Sequence, residues 1–400
     1  MNKDMTLYAQ WKQTLYGVVK YDAEVGNYAA EYIGEVTDTY DEQGNENIYY
    51  YKGENPNNNL IFGGFCWQMV RTTATGGVKM IYNGTPTDGT CNNSGTDTQI
   101  GTSRINISYT SLAHIGYMYN KEYNIKSGSI TSGSLYGKGV KYKSGTYTLT
   151  GTSTTKDANH HYSCNNDSGT CSKVRYYYYY YYDNSYNIGN NSYTTQYYIE
   201  LSGGTNVQTA LNEMLKNNNL NKNNSVIKKY IDNWYASNMI NFTNYFEDVI
   251  FCNDRSISNL SGWNPSGGIL SNYLNFGAYS RTSSNLKCKN ITDKFSMSNN
   301  KAKLTYPVGL LTMDEVLLAK TISKDLADDY YLNIGYSYWL GSPYRQMYLT
   351  SEYRVFPDGS LNGYSDYENY GVRPAVSLKS GTIYSEGDGS KDNPYIINLQ

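Results

Sequence analysis

Tyr338-Trp339-Leu340-Gly341-Ser342-Pro343, answered by Gly371-Val372-Arg373-Pro374-Ala375-Val376-Ser377-Leu378, frames the stretch whose reading decides the fold. Between these anchors Met347-Tyr348-Leu349-Thr350 and Tyr353-Arg354-Val355-Phe356 alternate as the arms of a hairpin do, and Pro357-Asp358-Gly359-Ser360 supplies turn chemistry before Leu361. The loop that follows, residues 362–370, is polar and carries three tyrosines, the composition of a contact surface rather than a core. Trp339, Val355 and residues 372–378 read as scaffold, and Arg373 as a structural ion-pair partner.

Taken together, the Trp-Leu-x-Ser-Pro strand, the x-Asp-Gly-x hairpin and the closing Gly-Val-Arg-Pro-Ala strand resemble the end of C-type-lectin-like modules of the formylglycine-generating-enzyme type, which are common on surface proteins of gut Firmicutes. Phe65-Cys66-Trp67-Gln68-Met69-Val70-Arg71-Thr72-Thr73 and Tyr306-Pro307-Val308-Gly309-Leu310 resemble the same surface-protein group and extend the likeness over most of residues 50–399. The resemblance implies an α+β fold: a C-type-lectin-like core of short irregular antiparallel strands, a few helices, and long loop inserts that carry the ligand surface. At the other end, Leu7-Tyr8-Ala9-Gln10-Trp11 resembles the final strand of an internalin-type B-repeat. Residues 1–13 then end a preceding repeat domain, and residues 30–400 form the binding domain, with a Tyr/Ser/Thr-rich insert at about 121–200.

Composition narrows the partners. The formal net charge is −2 and only 17% of residues are charged, so no basic field exists to hold nucleic acid or anionic lipid. No apolar run approaches membrane-spanning length, so no membrane insertion is expected. The 47 tyrosines supply much of the hydrophobic fraction, which implies a thin core and a high β content. The six cysteines form no C-x-x-C pair and read as disulfides; short spacing favours Cys66 with Cys91, Cys164 with Cys171, and Cys252 with Cys288, one connectivity of fifteen. Oxidised cysteines in a chain without a signal peptide suggest a piece of a longer exported protein, extracellular and at the cell surface.

Along the chain, residues 60–71 and 77–84 read as a central hairpin around a Gly-rich turn. Residues 85–198 read as short strands and long loops, with a strand over the tyrosine run 176–182. Helices are expected after the caps Asn206 (Ala210, Leu211, Met214, Leu215 on one face) and Ser225 (Ile227, Tyr230, Ile231, Trp234), over residues 245–251, and from a Thr312-x-x-Glu315 capping box to Lys320.

Catalytic constellations are fragmentary. His160 and His161 point to opposite sides of an extended strand and Cys164 has Cys171 for a partner, which disfavours zinc. Asp314 and Glu315 serve a helix first turn better than a glycosidase, and Asp254-Arg255 reads as a structural pair. Cys252 and Cys288 match no active-site thiol pattern, so the oxidase activity of the family is not expected. Glu386, Asp388, Ser390 and Asp392 alternate as calcium ligands do, but the closing bidentate glutamate is missing and a solvated turn explains them equally; no cofactor is assigned.

Tyrosine with Ser, Gly and Asn is what adaptable binding surfaces use. The expected ligand-binding residues are therefore Tyr344, Arg345, Tyr348, Tyr364, Asp366, Tyr367, Asn369 and Tyr370, and the expected partner is a glycan or a host or neighbour cell-surface protein. This is a non-catalytic, adhesin-like reading. Its alternatives are a receptor of the same fold whose loops a retroelement diversifies, and a degenerate oxidase or surface-polymer hydrolase.

Overall fold

The computed structural model describes residues 14–40, 47–106, 116–119, 220–264, 268–273, 284–320, 327–346 and 350–397, with the backbone of six strands between 125 and 202. The architecture is α+β. Its named elements are α1 (Leu15–Val25), β1 (Ala29–Tyr32), β2 (Ile48–Tyr51), β3 (Asn59–Phe62), β4 (Phe65–Thr72), β5 (Val78–Tyr82), β6 (Thr102–Ser103), α2 (Val226–Asn238), β7 (Phe251–Cys252), β8 (Lys294–Phe295) and α3 (Met313–Ala319). The chain then closes through β9 (Tyr338–Gln346), β10 (Thr350–Val355), β11 (Leu361–Ser365), β12 (Tyr370–Gly371), β13 (Ala375–Leu378), β14 (Tyr384–Glu386) and β15 (Tyr395–Ile397).

The first sheet has eight strands, in the order β1-β2-β4-β3-β15-β14, with β5 on the other side of β4 and β13 beside β5. Its centre is the expected hairpin. Phe62 faces Phe65 across a two-glycine turn in which both Gly63 and Gly64 take positive φ, a conformation glycine adopts without a Cβ penalty. β4 is buried along nearly its whole length, its apolar residues in the core and its polar ones, Gln68 and Arg71, hydrogen-bonded within it. In the second sheet, strands 257–264 and 268–273 lead to β9, β10 and β11, while β12 lies parallel to β9 and antiparallel to β6.

The core is less thin than the apolar count implies, because tyrosine does core work. Tyr51, Tyr235 and Tyr353 are fully buried, and Tyr235 stacks on Tyr306 at 4.8 Å. Helix α1 belongs to the same body, with Leu15 and Val19 fully buried in the main cluster. Thr14 caps it through the Gly17 amide (3.1 Å), and Gly26 ends it in the left-handed conformation. Ser225 caps α2 as expected, with Ile227 and Ile231 buried and Trp234 edge-on to Tyr82 at 5.4 Å. The segment 245–251 is not a helix. Residues Ile240–Tyr245 form a 3-10 turn, and the amides of Glu247 and Ile250 then donate to the carbonyls of Ser377 and Asp38, partners that draw the chain out along the sheet.

Thr312 and Glu315 form the expected capping box at α3. Glu315 also has a second role. Its Oε1 accepts from Arg71 Nε (2.9 Å) and Lys79 Nζ (2.7 Å), while Arg71 grips Asp38 with two further nitrogens (2.7 and 2.9 Å). Burial favours the neutral form of Glu315, yet Lys79 and Arg71 bring its pKa down to about 2. A buried network of four charges thus ties α3 to β4, β5 and the strand-free segment at residue 38.

Two disulfides join the residues expected, Cys66 with Cys91 and Cys252 with Cys288. Cys164, Cys171, the Asn206-capped segment and His160-His161 side chains lie outside the described residues, as do residues 1–13. No helix among the described residues is long and apolar enough to cross a membrane.

Candidate binding site

The site is built on the β9–β10–β11 meander. Val355 pairs with Leu361 across the Pro357-Asp358-Gly359-Ser360 turn, in which Asp358 Oδ1 accepts from the Ser360 amide and Gly359 takes positive φ. That register, with the period-two pleat, turns Tyr353, Val355 and Leu361 into the core, all fully buried. Trp339, Glu352, Arg354 and Tyr364 share the opposite face, because Trp339 pairs with Arg354 and Tyr364 with Glu352.

On this face an aromatic cage surrounds one guanidinium. Arg354 Cζ lies 3.8 Å from the Tyr370 ring centre, 3.9 Å from Phe356 and 4.3 Å from Tyr364. Tyr370 stands edge-on to both Trp339 (5.1 Å) and Tyr364 (5.6 Å), so β12 braces the cage from the neighbouring strand. Arg354 is 6% exposed, its Nε is buried without a hydrogen-bond partner, and no carboxylate among the described residues forms an ion pair with it. Burial pushes its pKa down, against the pull of Tyr370, Tyr364 and the carboxylate of Glu368.

Beside it Glu352 is 1% exposed, and neither carboxylate oxygen receives a hydrogen bond from the described residues. Burial, and then the charge of Asp366, push its pKa well above the usual carboxylate range; the Gly116 backbone and Arg255 pull the other way. A carboxyl whose folded pKa is raised favours the fold at low pH and loses that contribution as pH rises through the folded value. Glu352→Met is therefore expected to raise the melting temperature at pH 8, equivalent to about 1–3 kcal/mol, with the gain shrinking toward pH 4. A gain that is the same at both pH values would assign the effect to packing instead.

The expected ligand-binding residues separate into two groups. Tyr364 is 41% exposed and in ring contact with half-buried Tyr370, and in the same loop Asn369 is exposed and Tyr367 half-buried. Tyr344 and Asp366 are corrected to interior positions. The Tyr344 ring packs edge-on against Tyr353 at 5.0 Å and fills the space where a Cβ on Gly363 would stand. Asp366 accepts from Asn106 Nδ2 (2.8 Å) and, through its carbonyl, from the amides of Ile105 and Asn106, so it fastens the loop behind β6. Arg345 contributes backbone pairing to Ser351, and Tyr348 lies outside the described residues. Arg354 and Glu352 went unremarked in the sequence. Their signal is the alternation Glu352, Tyr353, Arg354, Val355, in which the two charged positions must share the face opposite the core.

Two ion-pair expectations also change partner. Arg373 pairs with no carboxylate among the described residues. It is buried and donates to Tyr82 O (3.0 Å), Gln68 Oε1 (3.0 Å) and Asn83 Oδ1 (3.0 Å), a clamp between β13 and the central hairpin. Arg255 pairs with Asp293 (2.7 Å) rather than Asp254, which accepts from the Ser256 amide. In the 386–392 stretch Asp388 closes its own turn through the Ser390 amide (3.0 Å), and no three His, Cys, Asp or Glu side chains among the described residues come together to hold a metal. Compared with models of known protein families, with curated proteins and with solved structures, the chain finds no match.

Proposed function

We propose that this chain is an extracellular binding module of a bacterial surface protein, adhesin-like and non-catalytic, with a C-type-lectin-like core. It recognises a glycan or a surface protein through the rim formed by Tyr364, Tyr367, Asn369 and Tyr370. The observation that carries the reading is Tyr364: a large aromatic side chain 41% exposed, yet held edge-on to Tyr370 and over Arg354, so its ring meets a ligand with little orientation left to lose. The two disulfides suit an oxidising compartment.

A glycan and cell-surface-protein array probed with the full chain tests the reading. Tyr364→Ala is expected to weaken capture at least tenfold while the melting temperature moves by no more than about 2 °C, as removal of one exposed wall of a cation–π cage implies. Tyr370→Ala is expected to lower stability by about 2 kcal/mol as well, because that ring packs on Trp339 and its strand joins β6 to β9. Capture that survives Tyr364→Ala unchanged places the ligand elsewhere.

A further inference from the structure

Arg354 narrows the ligand. A buried cation needs acceptors around it, and elsewhere the fold supplies them: Arg71 holds Asp38 and Glu315, Lys79 holds Glu315, Arg255 holds Asp293, and Arg373, without a carboxylate, donates to Tyr82 O, Gln68 Oε1 and Asn83 Oδ1. Arg354 is buried less completely, stands against three aromatic faces with the Tyr370 side chain as its hydrogen-bonding neighbour, and keeps Nε unsatisfied. Glu352 sits two residues away on the same strand face, yet it is unpaired too; its cross-strand neighbour Tyr364 lies over the guanidinium. The nearest influence of opposite sign is half-exposed Glu368, which makes no ion pair with Arg354. The cation is thus positioned directly behind the exposed Tyr364, and no carboxylate among the described residues forms an ion pair with it.

We propose that the ligand brings the missing ion-pair partner: the rim binds a carboxylate-bearing glycan, a sugar face lying on Tyr364 and a carboxylate drawn to the Arg354 guanidinium behind that ring. The proposal rests on the rim being the binding surface. A guanidinium stripped of most of its water pairs with a carboxylate more strongly than an exposed lysine does, and its planar fork selects that group over a hydroxyl. A sugar fits better than an acidic peptide because the exposed neighbours, the Tyr364 ring and the Asn369 amide, present a stacking face and a hydroxyl partner, whereas the chain carries no basic field to gather a polyanionic segment.

Binding of the intact chain to immobilised oligogalacturonate, hyaluronan fragments and sialyl-lactose, each beside its carboxyl methyl ester, tests the inference, with poly-glutamate as the peptide arm. At least one free acid is expected to bind ten times or more tightly than its ester, with the preference falling as NaCl rises from 50 to 500 mM. Arg354→Met keeps an apolar filling for the cage and is expected to reduce acid binding to the level of the ester; Glu368→Gln is expected to strengthen acid binding two- to threefold. Equal binding of acid and ester, or loss of binding in Tyr364→Ala but not in Arg354→Met, overturns the carboxylate assignment and leaves the rim standing. Preference for poly-glutamate over every glycan overturns the sugar assignment. If no probe binds while the surface-protein array gives capture that depends on Tyr364, the glycan inference fails alone; if neither binds, the rim fails with it.

Discussion

Glu315→Gln is expected to destabilise the protein by about 3–5 kcal/mol, among the largest effects of any single side-chain change. The amide still satisfies the α3 cap, so the loss comes from charge. Lys79 is 1% exposed and has Glu315 as its ion-pair partner, and Arg71 keeps only Asp38. Burial already pushes the Lys79 pKa down, so without the carboxylate this amine sheds its proton or stays buried and unpaired. The pH dependence identifies the cause. With a folded pKa of about 2, the Glu315 contribution is present above the unfolded glutamate range and is lost as pH falls from about 4.5 toward 2. Urea unfolding of both proteins at pH 7 and pH 2.5 should show a stability gap that closes in acid; a constant gap would mean the substitution acts through shape.

Opening either disulfide is expected to cost about 3–4 kcal/mol, since the two bridges close loops with separations of 25 and 36 residues. Their structural effects differ. Cys66–Cys91 fixes the loop after β5, which a hydrogen bond donated by the Cys91 amide to Lys391 O (2.7 Å) also ties to the β14–β15 hairpin. Cys252–Cys288 holds β7 against the segment whose Cys288 amide donates to Thr37 Oγ1 (3.1 Å). Paired Cys→Ala variants, melted with and without reductant, check the estimate: each should melt below the wild type by several degrees and lose part of its response to reductant. An unaltered melting point in reductant would show that packing alone holds these loops.

Local chemistry explains what was legible in the chain. Thr312 and Glu315 sit three apart before an apolar run, Ser225 precedes a face of Ile227 and Ile231, and a Gly-Gly pair separates two apolar strands; each signal lies within a few residues and each element formed. The failures are long-range. Residues 245–251 have helical spacing, but carbonyls at Ser377 and Asp38 took the amides. Arg373 looks like an ion-pair partner until the fold brings Gln68 and Asn83, about 300 positions away, to its fork. In the binding face the exposed tyrosines of 364–370 could be read from composition. The alternation of residues 352–355 gives the side Arg354 takes, but its cage could not be read, because Phe356, Tyr364 and Tyr370 come together on it only through the fold of β10, β11 and β12.

The clamp at Arg373 and the placing of β13 and β15 have a further consequence, for how the protein is made. β5 and β3, both complete by residue 82, each wait for a neighbour that lies beyond residue 374. The contact between Arg373 and Gln68 spans 305 positions, which a ribosome adding 5–20 residues per second needs roughly 15 to 60 s to translate. Throughout that interval the central hairpin carries two unpaired edges, the kind of surface on which nascent chains misassociate. The first sheet therefore reaches its final form only after residues 375–397 have been made, and its completion is controlled from that ribbon backward.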